Sequence, residues 1–323
     1  MFTNTVENSL KDLPMPENLR RKLLARWNEL KEQKLNIMIT GATGSGKSST
    51  INALFNMDSA RKSEVAKVGV GVDPETMDIT KYELGNMILW DSPGLGDGKD
   101  ADNRHARNII DKLHERDSNG KLLIDLVLVI LDGSTRDLGT SYELINKVII
   151  PNLGENPAKR ILVAINQADA AMKGRHWDYD NNRPEPALVR FLDEKCLSVK
   201  RRISEGTGVD IMPIYYSAGF KEEGGEQAPP YNLAKLLYFI LENIPAEKRF
   251  IAAEHLNTDR TVWQDNDSEE YGKKVRNSIK EGISTGLKGA ALGGAIGAAF
   301  GPVGAAVGAA IGGIAGFLGG LFS

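Results

Sequence analysis

Residues Gly41-Ala42-Thr43-Gly44-Ser45-Gly46-Lys47-Ser48 fit the pattern G-x-x-x-x-G-K-[ST]. That composition serves one chemistry. Small residues let successive backbone N–H groups wrap a phosphate, and the N-terminus of a following helix favours the anion. Lys47 is placed to neutralise β- and γ-phosphate charge, which makes it the first catalytic candidate, and the Ser48 hydroxyl is placed to bind Mg²⁺. The flanks fit the motif. Residues 34–40 (KLNIMIT) read as a strand, and 48–55 (SSTINALF) open a helix with Ser49 in its first turn. A glycine-rich turn that binds nothing is the alternative, and it requires neither flank.

A phosphate cradle does not choose a base. Three later segments do so through their resemblance to known GTPases. Asp91-Ser92-Pro93-Gly94 follows the strand MILWD and resembles the D-x-x-G element. The resemblance implies that Asp91 reaches Mg²⁺ through a water and that the Gly94 N–H contacts the γ-phosphate. Asn166-Gln167-Ala168-Asp169 follows ILVAI and resembles the N-K-x-D element. In that element the aspartate accepts two hydrogen bonds from guanine, and adenine would leave the carboxylate unpaired at a cost of a few kcal/mol. Ser217-Ala218 follows IMPIYY and resembles the S-A element, in which the Ala218 N–H would meet guanine O6. Each short match is weak alone. Their order, and their placement at the carboxyl ends of strands where such sheets bind ligands, make them strong together.

Thr76, just before the second strand, resembles the switch I threonine that closes onto Mg²⁺ and the γ-phosphate in the triphosphate state. Thr80 is the alternative, but it should lie inside the strand. The sequence departs from the GTPase pattern twice. Gln167 stands where lysine is usual, so the stem can still pack on the base but the charge is lost. Leu95 follows Gly94 where Ras-like enzymes carry a glutamine that orients the attacking water. Slow intrinsic hydrolysis is the expectation, with a catalytic group from elsewhere in the chain or from a partner. Thr43, Ser45, Arg61, Lys62 and Asp97 are candidates, none singled out by spacing. The histidines His105, His114, His176 and His255 lack metal-ligand spacing and read as satisfied surface residues. Lys173-Gly174-Arg175-His176-Trp177-Asp178 reads as a structured loop with one packed tryptophan; packing on the base side of the pocket, or contact with a partner, is the alternative.

The elements that must position these residues alternate along the chain. Strands are expected at 34–40, 78–84, 87–91, 124–131, 161–166 and 211–216, with helices near 101–116, 140–149, 186–203 and 232–243. That order implies an α/β fold with a mainly parallel sheet flanked by helices. Runs such as LVLVIL suit strands buried on both faces. Four parts follow: an N-terminal helical segment (1–33), a GTPase-like domain (34–245), a charged helical connector (246–282) and a hydrophobic glycine-zipper hairpin (283–323).

The hairpin reading rests on spacing. Residues 289–323 carry no charge and hold 12 Gly and 10 Ala. Glycines recur every fourth residue from 289 to 301 and again from 304 to 320, with the phase broken around Pro302. Twelve helix-interior glycines cost on the order of 10 kcal/mol against alanine, so something must offset them. Close helix approach in a bilayer would do so, with Lys288 and the Lys-rich stretch 273–280 at an anionic surface. A hairpin packed on the domain or in an oligomer is the bland alternative.

Composition bounds the rest. The 323 residues are 41% hydrophobic and 26% charged, with a formal net charge of −3. Global disorder and a globally basic nucleic-acid binder are disfavoured. Cys196 is the single cysteine, so neither an intrachain disulfide nor a Cys-based zinc site can form. The polar start, MFTNTVENSLKDLP, does not read as a secretory signal. The chain as a whole resembles GTPases of the Era-like and septin-like type, and the stretch Thr40–Leu54 is similar to immunity-related GTPases. The resemblance implies a GTP/GDP- and Mg²⁺-binding hydrolase acting as a switch. Contact with the cytoplasmic face of a membrane through 283–323 and pairing of two copies across the nucleotide face are further expectations. DNA is not an expected partner, and without a basic appendage in 246–323 neither is RNA or the ribosome. The alternatives are a slow or inactive GTP-binding module that recruits a soluble or ribosomal partner, and a nucleotide-gated, membrane-perturbing tail.

Overall fold

The structure, a computed structural model, describes residues 2–12, 15–57, 79–94, 99–219, 228–264, 269–291 and 318–322. Thr76, Arg61, Lys62, Leu95, Asp97 and tail residues 292–317 lie outside the described residues.

The strands are β1 (Leu35–Gly41), β2 (Thr80–Leu84), β3 (Met87–Asp91), β4 (Leu126–Asp132), β5 (Ile161–Asn166), β6 (Trp177–Asp178), β7 (Arg183–Pro184) and β8 (Ile214–Tyr215). Six of them form one sheet in the order β2-β3-β1-β4-β5-β8, and β6-β7 is a separate hairpin. Within the sheet, β2 runs antiparallel to β3 while the other pairs are parallel. Thr80 is the first residue of β2, paired with Asp91, as expected for a residue inside that strand. The last strand is shorter than the expected 211–216. Pro213 has no N–H to give a ladder, and pairing begins only after it.

The helices are α1 (Phe2–Asp12), α2 (Glu17–Lys31), α3 (Lys47–Leu54), α4 (Lys99–His114), α5 (Gly139–Glu143), α6 (Pro186–Thr207), α7 (Leu233–Glu242), α8 (Arg249–Ala253) and α9 (Tyr271–Ala291). A π-helical stretch, Leu144–Ile149, continues α5. The sheet sorts its side chains by parity. Leu35, Ile37 and Ile39 of β1, with Leu126, Leu128 and Ile130 of β4, face one core, shared with α2, α3, α7, α8 and α9. Met38, Val127, Val129 and Leu131, with Val163 and Ile165, face the other, shared with α4 and α6. Continuous apolar strands are thus a consequence of helices on both faces.

The charged segment after Pro245 is part of the first core. Phe250 of α8 packs on Trp27 of α2 with ring centroids 5.0 Å apart. The Lys248 ammonium donates to both oxygens of Asp125 at 2.7 and 2.8 Å, and the Asn36 N–H donates to the same carboxylate. Val275, Ile279, Ile283 and Leu287, spaced by four along α9, are fully buried in this core. A helical arm was expected to begin near 283; the helix instead begins at Tyr271, and its residues through Leu287 pack on the domain. At the far end, Leu318 and Leu321 join the same core, and the Phe322 ring meets Trp263 at 5.4 Å. Among the described residues, no helix is long and apolar enough to cross a membrane. The N-terminal helical segment holds two helices, and Val6 and Leu10, one helical turn apart, are the residues that α1 buries.

Candidate nucleotide-binding site

β1, β3, β4 and β5 all deliver their carboxyl ends to one edge of the sheet, and the expected site residues gather there. Gly41 closes β1, and Ala42, Thr43, Gly44 and Ser45 lead to Gly46, which precedes α3. Gly46 is left-handed (φ 87°), and a Cβ there would sit 2.2 Å from the Asn166 amide nitrogen. Lys47 folds back over the loop, donating to the Gly41 and Ala42 carbonyls at 3.1 and 3.2 Å. Ser48 and Ser49 are exposed on the first turn of α3.

Asp91 ends β3, beside Ile39 of β1. Burial pushes its carboxyl up to about 6, and the Lys47 ammonium only partly opposes this. Its Oδ1 is buried and, like the Ser45 hydroxyl, has no hydrogen-bond partner among the described residues. A buried, unpaired carboxylate oxygen facing a lysine is costly unless a cation or its water shell completes it. Ser48 and Asp91 are therefore a fitting donor set for Mg²⁺, which takes one or two protein oxygens together with substrate phosphates. Gly94 abuts the phosphate loop so closely that a Cβ would lie 2.2 Å from Thr43 Oγ1 and 2.7 Å from its backbone nitrogen. His105 of α4 is buried with Nδ1 3.2 Å from the Gly94 carbonyl oxygen, so it supports this turn and is not the surface residue its spacing suggested.

The base side is built on Asn166. This buried side chain donates from Nδ2 to the Ser45 carbonyl at 3.0 Å, and its Oδ1 accepts from the Ala218 N–H at 2.9 Å. It thereby ties the phosphate loop to the S-A loop. The Ala218 N–H, expected to meet guanine O6, is engaged by Asn166 in this structure. Ser217 exchanges two backbone hydrogen bonds with Tyr231, and its hydroxyl accepts from the Gly219 N–H. Gln167 has a left-handed backbone (φ 60°) and donates from Nε2 to the Gly44 carbonyl at 2.8 Å. The glutamine that replaces the usual lysine thus fastens to the phosphate loop. Beneath these loops the Thr50 hydroxyl meets the Tyr216 hydroxyl at 2.6 Å in a buried contact. Burial raises the Tyr216 phenol well above its ordinary value, so it stays protonated.

A cleft of about 570 Å³ opens between the two loops, lined among others by Gly44, Ser49, Gln167, Asp169, Lys173 and Tyr179. Asp169 thus lines the same cleft as Gly44, Gly46 and Ser49. Lys173, Gly174 and Tyr179 are lining residues that the motifs did not identify. In the loop 173–178, Trp177 is packed edge-on to Tyr231, and Lys173 and Gly174 line the cleft.

A nucleotide cradle followed in order by D-x-x-G, N-Q-x-D and S-A elements on a six-stranded sheet of this topology defines a P-loop GTPase fold. The chain is similar to known proteins over parts of its length. Residues 21–115 match the family model for interferon-inducible GTPase (IIGP). The chain is 30% identical over 170 residues to the uncharacterized protein YfjP of Escherichia coli, covering 51% of this chain and 52% of that one. It is 38% identical over 71 residues to interferon-inducible GTPase 1 of the mouse, covering 21% and 16% of the two chains. Among solved structures, Toc33 from Arabidopsis thaliana in complex with Mg²⁺ and GMPPNP aligns at a TM-score of 0.39 and 17% identity, covering 69% of this chain and 88% of that one. The chain spans about half the length of YfjP.

Proposed function

We propose that the chain is a Mg²⁺-dependent guanine-nucleotide switch that hydrolyses GTP to GDP and phosphate slowly. The observation that carries this is Asp169 in the wall of the cleft that Gly44, Gly46 and Ser49 of the phosphate loop and α3 also line, and the buried Asp91 oxygen near Lys47, without a partner among the described residues, supports the cation. In this reading the Lys47 ammonium leaves the Gly41 and Ala42 carbonyls for the β- and γ-phosphate oxygens. The loop N–H groups and the N-terminus of α3 hold the phosphates in line. Gly94 presents its N–H to the γ-phosphate, and His105 steadies that turn. Ser48 would hold Mg²⁺, with Asp91 reaching it through a water and Thr76 closing on it in the triphosphate state. When bound, the ion would supply neutralisation of phosphate charge. Asp169 accepts the guanine N1–H and amine.

Leu95 cannot orient a water, which supports slow turnover by the chain alone. We place the missing group in a second copy that meets the nucleotide face. The tail supplies the membrane element of the proposal. Residues through Leu287 are held by the domain, so contact with the cytoplasmic face of a membrane falls to 292–317, whose composition suits close helix approach. Single-turnover GTP hydrolysis, measured across protein concentrations with and without anionic vesicles, tests these parts. Turnover that rises with concentration and with vesicles supports the switch. Hydrolysis that is fast at the lowest concentration and indifferent to both would contradict the need for a partner.

A further inference from the structure

Tyr179 is 70% exposed, one of three large hydrophobic side chains that stand out in solvent among the described residues. The other two, Leu197 and Met212, lie away from the cleft, whereas Tyr179 lines it. Exposure of one side chain is ordinary; its place in the cleft wall beside Asp169 and Gln167 is what makes Tyr179 a candidate contact for a bound ligand.

The rim is a built object. Met172, Lys173 and His176 hold left-handed backbones at φ 53°, 63° and 65°, a conformation that side chains other than glycine seldom adopt. The turn they form is fixed from several sides. The Gly174 N–H donates to the Ala170 carbonyl, and the Glu185 N–H to the His176 carbonyl. Trp177 is buried against Tyr231, two residues before Tyr179. The Asp178 carboxylate accepts from the Asn181 N–H and amide, and Asn182 donates to the Pro230 carbonyl. These contacts fasten the β6–β7 hairpin to the strand side of the S-A loop and hold Tyr179 at its tip. The Tyr179 hydroxyl lies 3.3 Å from where a Gly174 Cβ would stand, and the Asp169 carbonyl oxygen lies 3.9 Å from the same point. Tyr179 and Asp169 thus both flank Gly174 and line the same cleft. The phenol makes no hydrogen bond to another described residue.

Resting on the guanine reading above, we propose that Tyr179 is the stacking platform for the nucleotide base, with its ring on one face of the purine while Gln167 packs the other. The ring supplies affinity, and Asp169 supplies base choice. Aromatic stacking is tolerant of base identity because every base has a π-face.

Direct titration of the full chain with GDP and with inosine diphosphate, which lacks the exocyclic amine, tests this in wild type, Tyr179→Ala and Tyr179→Phe. Loss of the ring should weaken both nucleotides by the same factor, about tenfold or more. The ratio between them should hold, and Tyr179→Phe should bind as wild type does. The melting temperature without nucleotide should not move in either variant, since the side chain is exposed, while the stabilisation by GDP should shrink in Tyr179→Ala alone. Tyr179→Ala that binds GDP like wild type, or Tyr179→Phe that fails like Tyr179→Ala, overturns the stacking role and leaves the guanine reading intact. A wild-type chain that binds no guanine nucleotide overturns the guanine reading and this inference with it.

Discussion

Replacing Asp91 with asparagine should make the empty protein more stable while destroying part of its function. Burial holds the Asp91 carboxyl at about 6 instead of its ordinary 3.8. That displacement corresponds to about 3 kcal/mol of disfavoured ionisation at neutral pH. The sign follows from proton counting. Between about pH 4 and pH 6 the folded chain binds more protons at this site than the unfolded chain, so stability falls as pH rises through that window. The asparagine side chain would keep the shape and carry no charge, and Lys47 would keep its hydrogen bonds to Gly41 and Ala42. The amide brings a donor of its own, so the expected gain at pH 7.5 is about 1–3 kcal/mol. Urea denaturation of the nucleotide-free, EDTA-treated chain, wild type against Asp91→Asn from about pH 4 to pH 8, measures it. Contributions of other carboxylates cancel in the difference. The two proteins should be nearly equal at the acid end and diverge as pH rises, and the variant should lose the tightening of GTP binding by Mg²⁺. A difference that is flat with pH, or a variant less stable at pH 7.5, would refute the argument that Asp91 is held unsatisfied for a cation.

Other outcomes follow from the same geometry. Asn166→Ala removes the tie between the phosphate loop and the S-A loop and leaves the Ala218 N–H unpaired; it should cost about 1–3 kcal/mol in chemical denaturation and weaken GDP binding in titration. Gly94→Ala forces a methyl against the Thr43 backbone and should cost about 1–3 kcal/mol, read as a lower melting temperature with reduced nucleotide affinity. Ile279→Ala opens a cavity where α9 meets the domain; a loss of about 2–5 kcal/mol in urea denaturation would confirm that this helix belongs to the core, and a loss below about 0.5 kcal/mol would deny it.

The parts legible in the sequence are those written in short-range pattern. β1 and the loop after it could be read because a strand, a glycine-rich turn and a helix start occupy adjacent residues. The parity of β1 and β4 was hidden inside continuous apolar runs, but the runs themselves implied two covered faces. What escaped depended on contacts distant in sequence. His105 looked like a surface residue because nothing nearby shows that Gly94 will lie over it. Tyr179 belongs to no motif, and its place in the cleft depends on Trp177 finding Tyr231 more than fifty residues later. The glycine spacing puts the start of a helical arm near 283, whereas the buried stripe Val275, Ile279, Ile283 and Leu287 crosses that point without interruption.

In the proposed switch, guanine choice rests on Asp169, which lines the same cleft as the phosphate loop. Equilibrium titration of the full chain with GDP and ADP in the presence of Mg²⁺, repeated with Asp169→Ala, tests it most directly. A site built around a carboxylate that pairs with guanine should prefer GDP by at least about 100-fold, and the preference should collapse in the variant. Equal binding of the two nucleotides by the wild type, or a preference that survives Asp169→Ala, would contradict the account.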